Sequence, residues 1–217
     1  MLLHCHNLIF GGNLMNLPNK LTLARIALVP FFVAFMLIDA IPLNYLWALV
    51  IFAIASLTDL LDGKIARKYN LITDFGKFLD PLADKVLVVS ALICMVQLGW
   101  TYAWLVAVIV AREFMVSGIR LVAAGSEKKI VIAASIWGKL KTASTMAAIV
   151  IIFVIQIFAQ LGIIHDIIPL WQSYMPTGTE FPISIISDVL MYICTALTVI
   201  SGVQYLWQYR SVLDCGK

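Results

Sequence analysis

The chain has 217 residues, 62% of them hydrophobic and only 12% charged, with a net charge of +3. A water-soluble domain carries about 25% charged residues, so this composition excludes a soluble fold. Lipid or neighbouring helices are the solvent for most of the chain, and no nucleic-acid partner is expected.

In chain order, residues 1–14 (MLLHCHNLIFGGNL) lack the basic stretch and small-residue cleavage site of a secretory signal. Met15 opens a cleaner start, MNLPNKLTLARI, so 1–14 reads as an appendage without catalytic duty. A single membrane-embedded domain is expected over 15–217. His4, Cys5 and His6 form too short and isolated a group to suggest a metal site. Cys5, Cys94, Cys194 and Cys215 show no CxxC spacing, and Cys94 and Cys194 lie in apolar runs where a thiol packs as a small hydrophobe.

Apolar runs mark about six spans, near 21–38, 44–68, 78–98, 102–123, 137–162 and 183–208. Each is long enough to cross a hydrocarbon core of about 30 Å as a helix. The predicted fold is therefore all-α, a polytopic membrane protein. Short polar or Pro/Gly-containing breaks separate the runs, and the longest, Ile163 to Pro182, reads as an irregular loop. Trp100, Trp104, Trp171 and Trp207 fall near span ends, where interfacial aromatics sit. Of the 15 Lys and Arg, all but Arg112 lie on the side of the N-terminus or in the half-span nearest it. Both termini are then expected in the cytoplasm.

Ionisable groups inside a span are costly and mark function by default. Here they are Asp59, Asp62, Arg67, Asp80, Asp84, Arg112, Glu113, Arg120, Lys139 and Lys141. Counting from the outer span ends puts Asp59 roughly 22 Å deep, Asp84 roughly 21 Å and Arg112 roughly 15–18 Å. At such depths they would share one cavity open to the cytoplasmic side. Asp59 and Asp62 are i and i+3, Asp80 and Asp84 i and i+4, so each pair shares a helix face. Four carboxylates together repel strongly unless a hard divalent cation, or two, is bound among them. With no His or Cys in the group, Mg²⁺, Mn²⁺ or Ca²⁺ suits it better than zinc. Gly63 leaves room for a phosphate or base to approach the backbone, and Arg67 offers a planar fork for phosphate. Arg112, Arg120, Lys139 and Lys141 add cations on the fourth and fifth spans, while Lys128 and Lys129 read as positive-inside anchors. Two other classes fit a buried acidic set: a cation transporter, which would need ionisable groups continuing to the far face, and a membrane scaffold, for which the acids would be an unexplained cost.

Residues 59–84 spell D-x2-D-G-x2-A-R-x8-G-x3-D-x3-D, through Asp59, Asp62, Gly63, Ala66, Arg67, Gly76, Asp80 and Asp84. This pattern resembles, without a gap, the signature of the CDP-alcohol phosphotransferase family. NLPNKLTLARI, FLDPLADKVLV, AREFMVSGIR and WGKLKTASTMAA are most similar to the branch of that family that uses glycerol 3-phosphate as acceptor. Met15 to Val150 carries this similarity; beyond it the match is one of apolar pattern.

The resemblance implies that Asp59, Asp62, Asp80 and Asp84 hold two divalent metals, Mg²⁺ or Mn²⁺. Asp62, Gly63, Ala66, Arg67 and Gly76 would line the CDP pocket. Asp84 would also be the general base for direct displacement on CDP-diacylglycerol, without a covalent enzyme intermediate. Glycerol 3-phosphate or inositol phosphate justifies the cations at 112, 120, 139 and 141, whereas serine does not. A homodimer in the bacterial cytoplasmic membrane, with its active site facing the cytoplasm, is also implied.

Overall fold

The computed structural model describes residues 17–69, 74–125, 136–163 and 181–209. These form six α-helices and no strand among the described residues: α1 Leu17–Leu37, α2 Asn44–Tyr69, α3 Asp74–Gln97, α4 Ala103–Gly125, α5 Ile136–Gln160 and α6 Phe181–Gln208. The leading fourteen residues, Lys128, Lys129, Trp171 and most of the 163–182 break lie outside the described residues. The chain falls into two compact units, residues 1–90 and 91–217, with the boundary inside α3.

In the first unit α1 and α2 pack together as an antiparallel pair. Their contacts run in opposite order along the two helices: Arg25 with Ala55, Phe32 with Phe52, then Phe35 with Trp47. Thr22, Arg25, Val29, Phe32 and Met36, spaced alternately three and four apart, form the buried stripe of α1. Across the link, Leu43 takes a left-handed φ of 53°, uncommon for a bulky residue. Its carbonyl accepts the amides of Leu46 and Trp47 at 3.0 and 3.2 Å, which starts α2.

In the second unit α6 is the shared partner, packing against both α4 and α5. Trp104 meets Tyr192, Arg112 meets Ser201 and Arg120 meets Tyr205, the same order along both chains, so α4 and α6 run parallel. Gly99, with φ 74°, ends α3: its amide bonds Val96 O at 3.0 Å and that of Trp100 bonds Met95 O at 2.9 Å, a glycine-terminated helix end. This turn tucks Trp100 inward, edge-on to Phe153 at 6.1 Å, instead of leaving it at an interface. Trp104 and Trp207 are exposed as expected.

Several polar side chains are buried while many large apolar ones are exposed. The buried stripe of α6 is Ser187, Met191, Cys194, Thr198, Ser201 and Tyr205, while Phe31, Leu57, Phe114, Val203 and Trp207 face outward. Two buried hydroxyls of α6 bond back to their own helix, Thr195 donating to Met191 O at 2.8 Å and Thr198 to Cys194 O at 2.6 Å. Such a surface suits hydrocarbon, not water. Among the described residues, Ile136–Gln160 and Ile185–Gln208 are long and apolar enough to cross a membrane; shorter apolar stretches are Leu21–Leu37, Asn44–Thr58 and Lys85–Gln97. Cys94 and Cys194 are free and buried.

Candidate active site

The acidic motif lies in the first unit. Asp59, Asp62, Gly63, Ala66 and Arg67 all lie in the C-terminal half of α2, and Gly76, Asp80 and Asp84 in the N-terminal half of α3. Both carboxylate pairs therefore sit in uninterrupted helix, which preserves the one-face register of i, i+3 and i, i+4 spacing. The side chains of these eight residues lie outside the described set. Immediately before them, the peptide of Ala55 is held from α1. Arg25, only 1% exposed, donates its Nε to Ala55 O at 3.2 Å. In α-helical geometry that carbonyl is also the acceptor for the Asp59 amide. Arg25 thus reaches the turn on which the first carboxylate is mounted. Among the ionisable groups picked out from the sequence it was passed over, yet its place in the three-and-four spacing of the α1 stripe marks it as inward-facing.

In the second unit, a basic cluster is built by α4, α5 and α6. Arg112 and Lys141, 9% and 3% exposed, both belong to the buried stripes of their helices. Glu113 Oε1 accepts from Arg112 Nη1 at 2.8 Å and from Lys141 Nζ at 2.7 Å. The other arm of the Arg112 fork donates from Nη2 to Ser201 Oγ at 2.5 Å, and the guanidinium carbon lies 5.7 Å from the Tyr205 ring centre. Arg112 Nε is buried without a hydrogen-bond partner. Two turns on, Arg120 lies over the same ring at 5.4 Å and donates to the Tyr205 hydroxyl at 2.5 Å. The eight-residue spacing of Arg112 and Arg120 thus does put both on one face. Aromatic rings attract cations through their negative face, more strongly when water is excluded.

Gly202 makes this packing possible. A Cβ there would stand 3.2 Å from Arg112 Cγ and 3.5 Å from Met115 Cε. The structure also separates the two lysines expected together. Lys141 faces inward, whereas Lys139, roughly 200° away around the helix, is exposed. Ser201, Tyr205 and Gly202 had drawn no attention in the sequence, because a hydroxyl or a glycine in an apolar helix is ordinary. The alternating spacing of 194, 198, 201 and 205 was the available signal.

Arg112 and Lys141 bring two buried cations onto one carboxylate, with Arg120 two turns away on Tyr205, and such burial of charge is costly in a hydrophobic setting. Phosphate is the ligand that planar guanidinium and ammonium donors suit best. A family model described as CDP-alcohol phosphatidyltransferase matches residues 15–200, extending past Val150 into α6. The Bacillus subtilis (strain 168) protein named CDP-diacylglycerol–glycerol-3-phosphate 3-phosphatidyltransferase is 41% identical over 209 residues, covering 91% of this chain and 95% of that protein. Proteins of the same name are 38% identical in Haemophilus influenzae, over 92% of this chain and 96% of theirs, and 36% identical in Rickettsia bellii, over 88% and 93%. With the motif of residues 59–84 intact and the match spanning nearly the whole chain, the protein belongs to the CDP-alcohol phosphatidyltransferase family.

Proposed function

We propose that this enzyme transfers the phosphatidyl group of CDP-diacylglycerol to sn-glycerol 3-phosphate, giving phosphatidylglycerophosphate and CMP in phosphatidylglycerol biosynthesis. The observation that carries the choice of acceptor is the buried pair Arg112 and Lys141 on one Glu113 oxygen, with Arg120 two turns away. An acceptor bearing a phosphate accounts for these cations. The relatives' names point to the same acceptor.

All six helices are read as spans, with both termini in the cytoplasm of a bacterial cell and the protein in its cytoplasmic membrane, as a homodimer. Support comes from the opposite directions of α1 and α2, the parallel run of α4 and α6, the apolar outer surface, and the one-sided placement of Lys and Arg.

The donor set Asp59, Asp62, Asp80 and Asp84 is all carboxylate, in two helical pairs, and fits hard divalent ions such as Mg²⁺ or Mn²⁺. Two such ions, when bound, supply the positive charge that offsets the diphosphate and makes CMP a better leaving group. Asp62, Gly63, Ala66, Arg67 and Gly76 hold the CDP moiety, Gly63 by leaving its backbone open and Arg67 by gripping phosphate. Asp84 takes the proton from the acceptor hydroxyl as that oxygen bonds to the lipid-side phosphorus and the bond to CMP breaks. Arg112, Arg120 and Lys141 hold the acceptor's own phosphate, and Lys139 attracts it from the exposed side of α5.

CMP release by purified protein with CDP-diacylglycerol and Mg²⁺, compared across glycerol 3-phosphate, inositol phosphate and serine, tests this reading. Release that depends on glycerol 3-phosphate is expected. Preference for inositol phosphate overturns the acceptor, and no release from folded protein with any acceptor overturns the reaction.

Gly202 gives a sharper local test. Alanine stabilises a helix interior by about 1 kcal/mol relative to glycine, yet its methyl would push the Arg112 stem from its seat. Gly202→Ala is expected to raise the KM for glycerol 3-phosphate several-fold, and Gly202→Val more, with the KM for CDP-diacylglycerol unmoved. Unchanged acceptor kinetics in Gly202→Val would show that the Arg112 stem position does not matter.

A further inference from the structure

Glu113 lies directly between Arg112 and Lys141, the two most deeply buried of these cations, and the proposed reaction leaves it without a task. Its Oε1 is shared between Arg112 Nη1 and Lys141 Nζ, at 2.8 and 2.7 Å. Of the three side chains it is the most accessible, 21% exposed against 9% for Arg112 and 4% for Lys141. The pair with Lys141 also ties α4 directly to α5, while α6 packs on both. Arg112 is already placed from α6 by Ser201, Tyr205 and the space over Gly202. For the Lys141 ammonium, Glu113 is the hydrogen-bond partner among the described residues, at 2.7 Å.

We infer that Glu113 is the positioning and specificity-determining residue of the acceptor-phosphate site, holding Lys141 beside Arg112 and setting the net charge that the phosphate meets. The inference rests on the reading of Arg112, Lys141 and Arg120 as phosphate ligands. Two like charges drawn together in a low-dielectric site repel. A shared carboxylate oxygen removes that repulsion and fixes their spacing. It also brings three cations to a net of two positive charges, which a phosphomonoester dianion balances. Arg112 Nε, nine-tenths buried and unpartnered, is a donor left over after Glu113 and Ser201 have been served, as a phosphate oxygen requires.

Steady-state kinetics on the full-length protein in lipid nanodiscs test the assignment. Glu113→Gln keeps an oxygen acceptor and removes the charge. Its KM for glycerol 3-phosphate is expected to rise about tenfold or more, the scale of one charge-assisted hydrogen bond. Inhibition by inorganic phosphate weakens in parallel, while the KM for CDP-diacylglycerol stays within about twofold. Glu113→Asp recovers part of the loss. An unchanged or lowered KM for glycerol 3-phosphate in Glu113→Gln overturns the inference, as does an equal rise in both substrates' KM. If Glu113→Gln does not fold, the double variant Glu113→Gln/Lys141→Met removes the unpaired charge. Restored fold with a still-raised acceptor KM supports the role, and restored acceptor KM overturns it. Arg112→Lys separates the two readings: if it too leaves the acceptor KM unchanged, the phosphate site itself is wrong, whereas a rise there with none in Glu113→Gln removes only the part given to Glu113.

Discussion

Asp84→Asn is expected to abolish CMP release, lowering kcat by roughly 10³-fold or more, while the protein stays helical and monodisperse. General-base catalysis by a positioned side chain contributes about 10²–10⁴-fold. Asparagine has the shape of aspartate and retains an acceptor oxygen, but it cannot take the hydroxyl proton and brings no negative charge. The position lies well inside α3, one turn beyond Asp80, so an isosteric change leaves helix and packing intact. A substitution that removed only a metal ligand would weaken ion affinity, and excess Mg²⁺ would restore much of the rate. Loss of the base is not repaired that way. The two roles separate in a Mg²⁺ titration: Asp84→Asn stays inactive at saturating Mg²⁺. Retention of most activity, at any Mg²⁺ concentration, would remove Asp84 from the role of base.

Much of this architecture is legible in the sequence because apolar run length and helix length obey the same constraint. The run at 44–68 becomes Asn44–Tyr69 and that at 183–208 becomes Phe181–Gln208. Two starts differ by four residues: α1 begins at Leu17 instead of near 21, and α3 at Asp74 instead of near 78. Hydrophobicity marks where a span crosses, but the helix propagates outward through FGKF until its hydrogen bonds have no further acceptors. Trp100 was misplaced for a related reason. Its position at a span end suggested an interface, but the turn at Gly99 directs it onto Phe153. The carboxylates and Arg112 stood out because charge in an apolar run is anomalous at a single position. Ser201 and Tyr205 are anomalous only as members of a stripe. What Glu113 does depends on α5 bringing Lys141 to it, across 28 residues of chain, which no local pattern records. Arg25 lies between these cases: its charge was visible, but its partner, the Ala55 carbonyl, is 30 residues away in the chain.

The second large effect is expected at Arg112, where lysine and alanine should fail differently. Lysine keeps the charge but has one compact ammonium in place of a planar fork. Its three donors sit on one nitrogen, so they cannot take the separate positions of Nη1 on Glu113, Nη2 on Ser201 and the remaining Nε. The KM for glycerol 3-phosphate should then rise about 10- to 100-fold, as loss of a hydrogen bond to a charged group costs about 1.5–3 kcal/mol. The KM for CDP-diacylglycerol should hold. Alanine removes the charge too and leaves Glu113 with Lys141 alone, beside a void against Tyr205 and Gly202. Breaking a buried ion pair from one side costs about 3–5 kcal/mol, so Arg112→Ala should also lower thermal stability in detergent, which lysine does much less. Measuring acceptor KM and melting temperature on both variants therefore separates recognition from support. If Arg112→Lys binds glycerol 3-phosphate normally, the guanidinium is there to hold α4 against α6, and the phosphate must be held by other cations. If only the acceptor KM moves, the fork that α6 positions through Ser201 and Tyr205 is a recognition element, and the parallel packing of α4 on α6 is what puts it there.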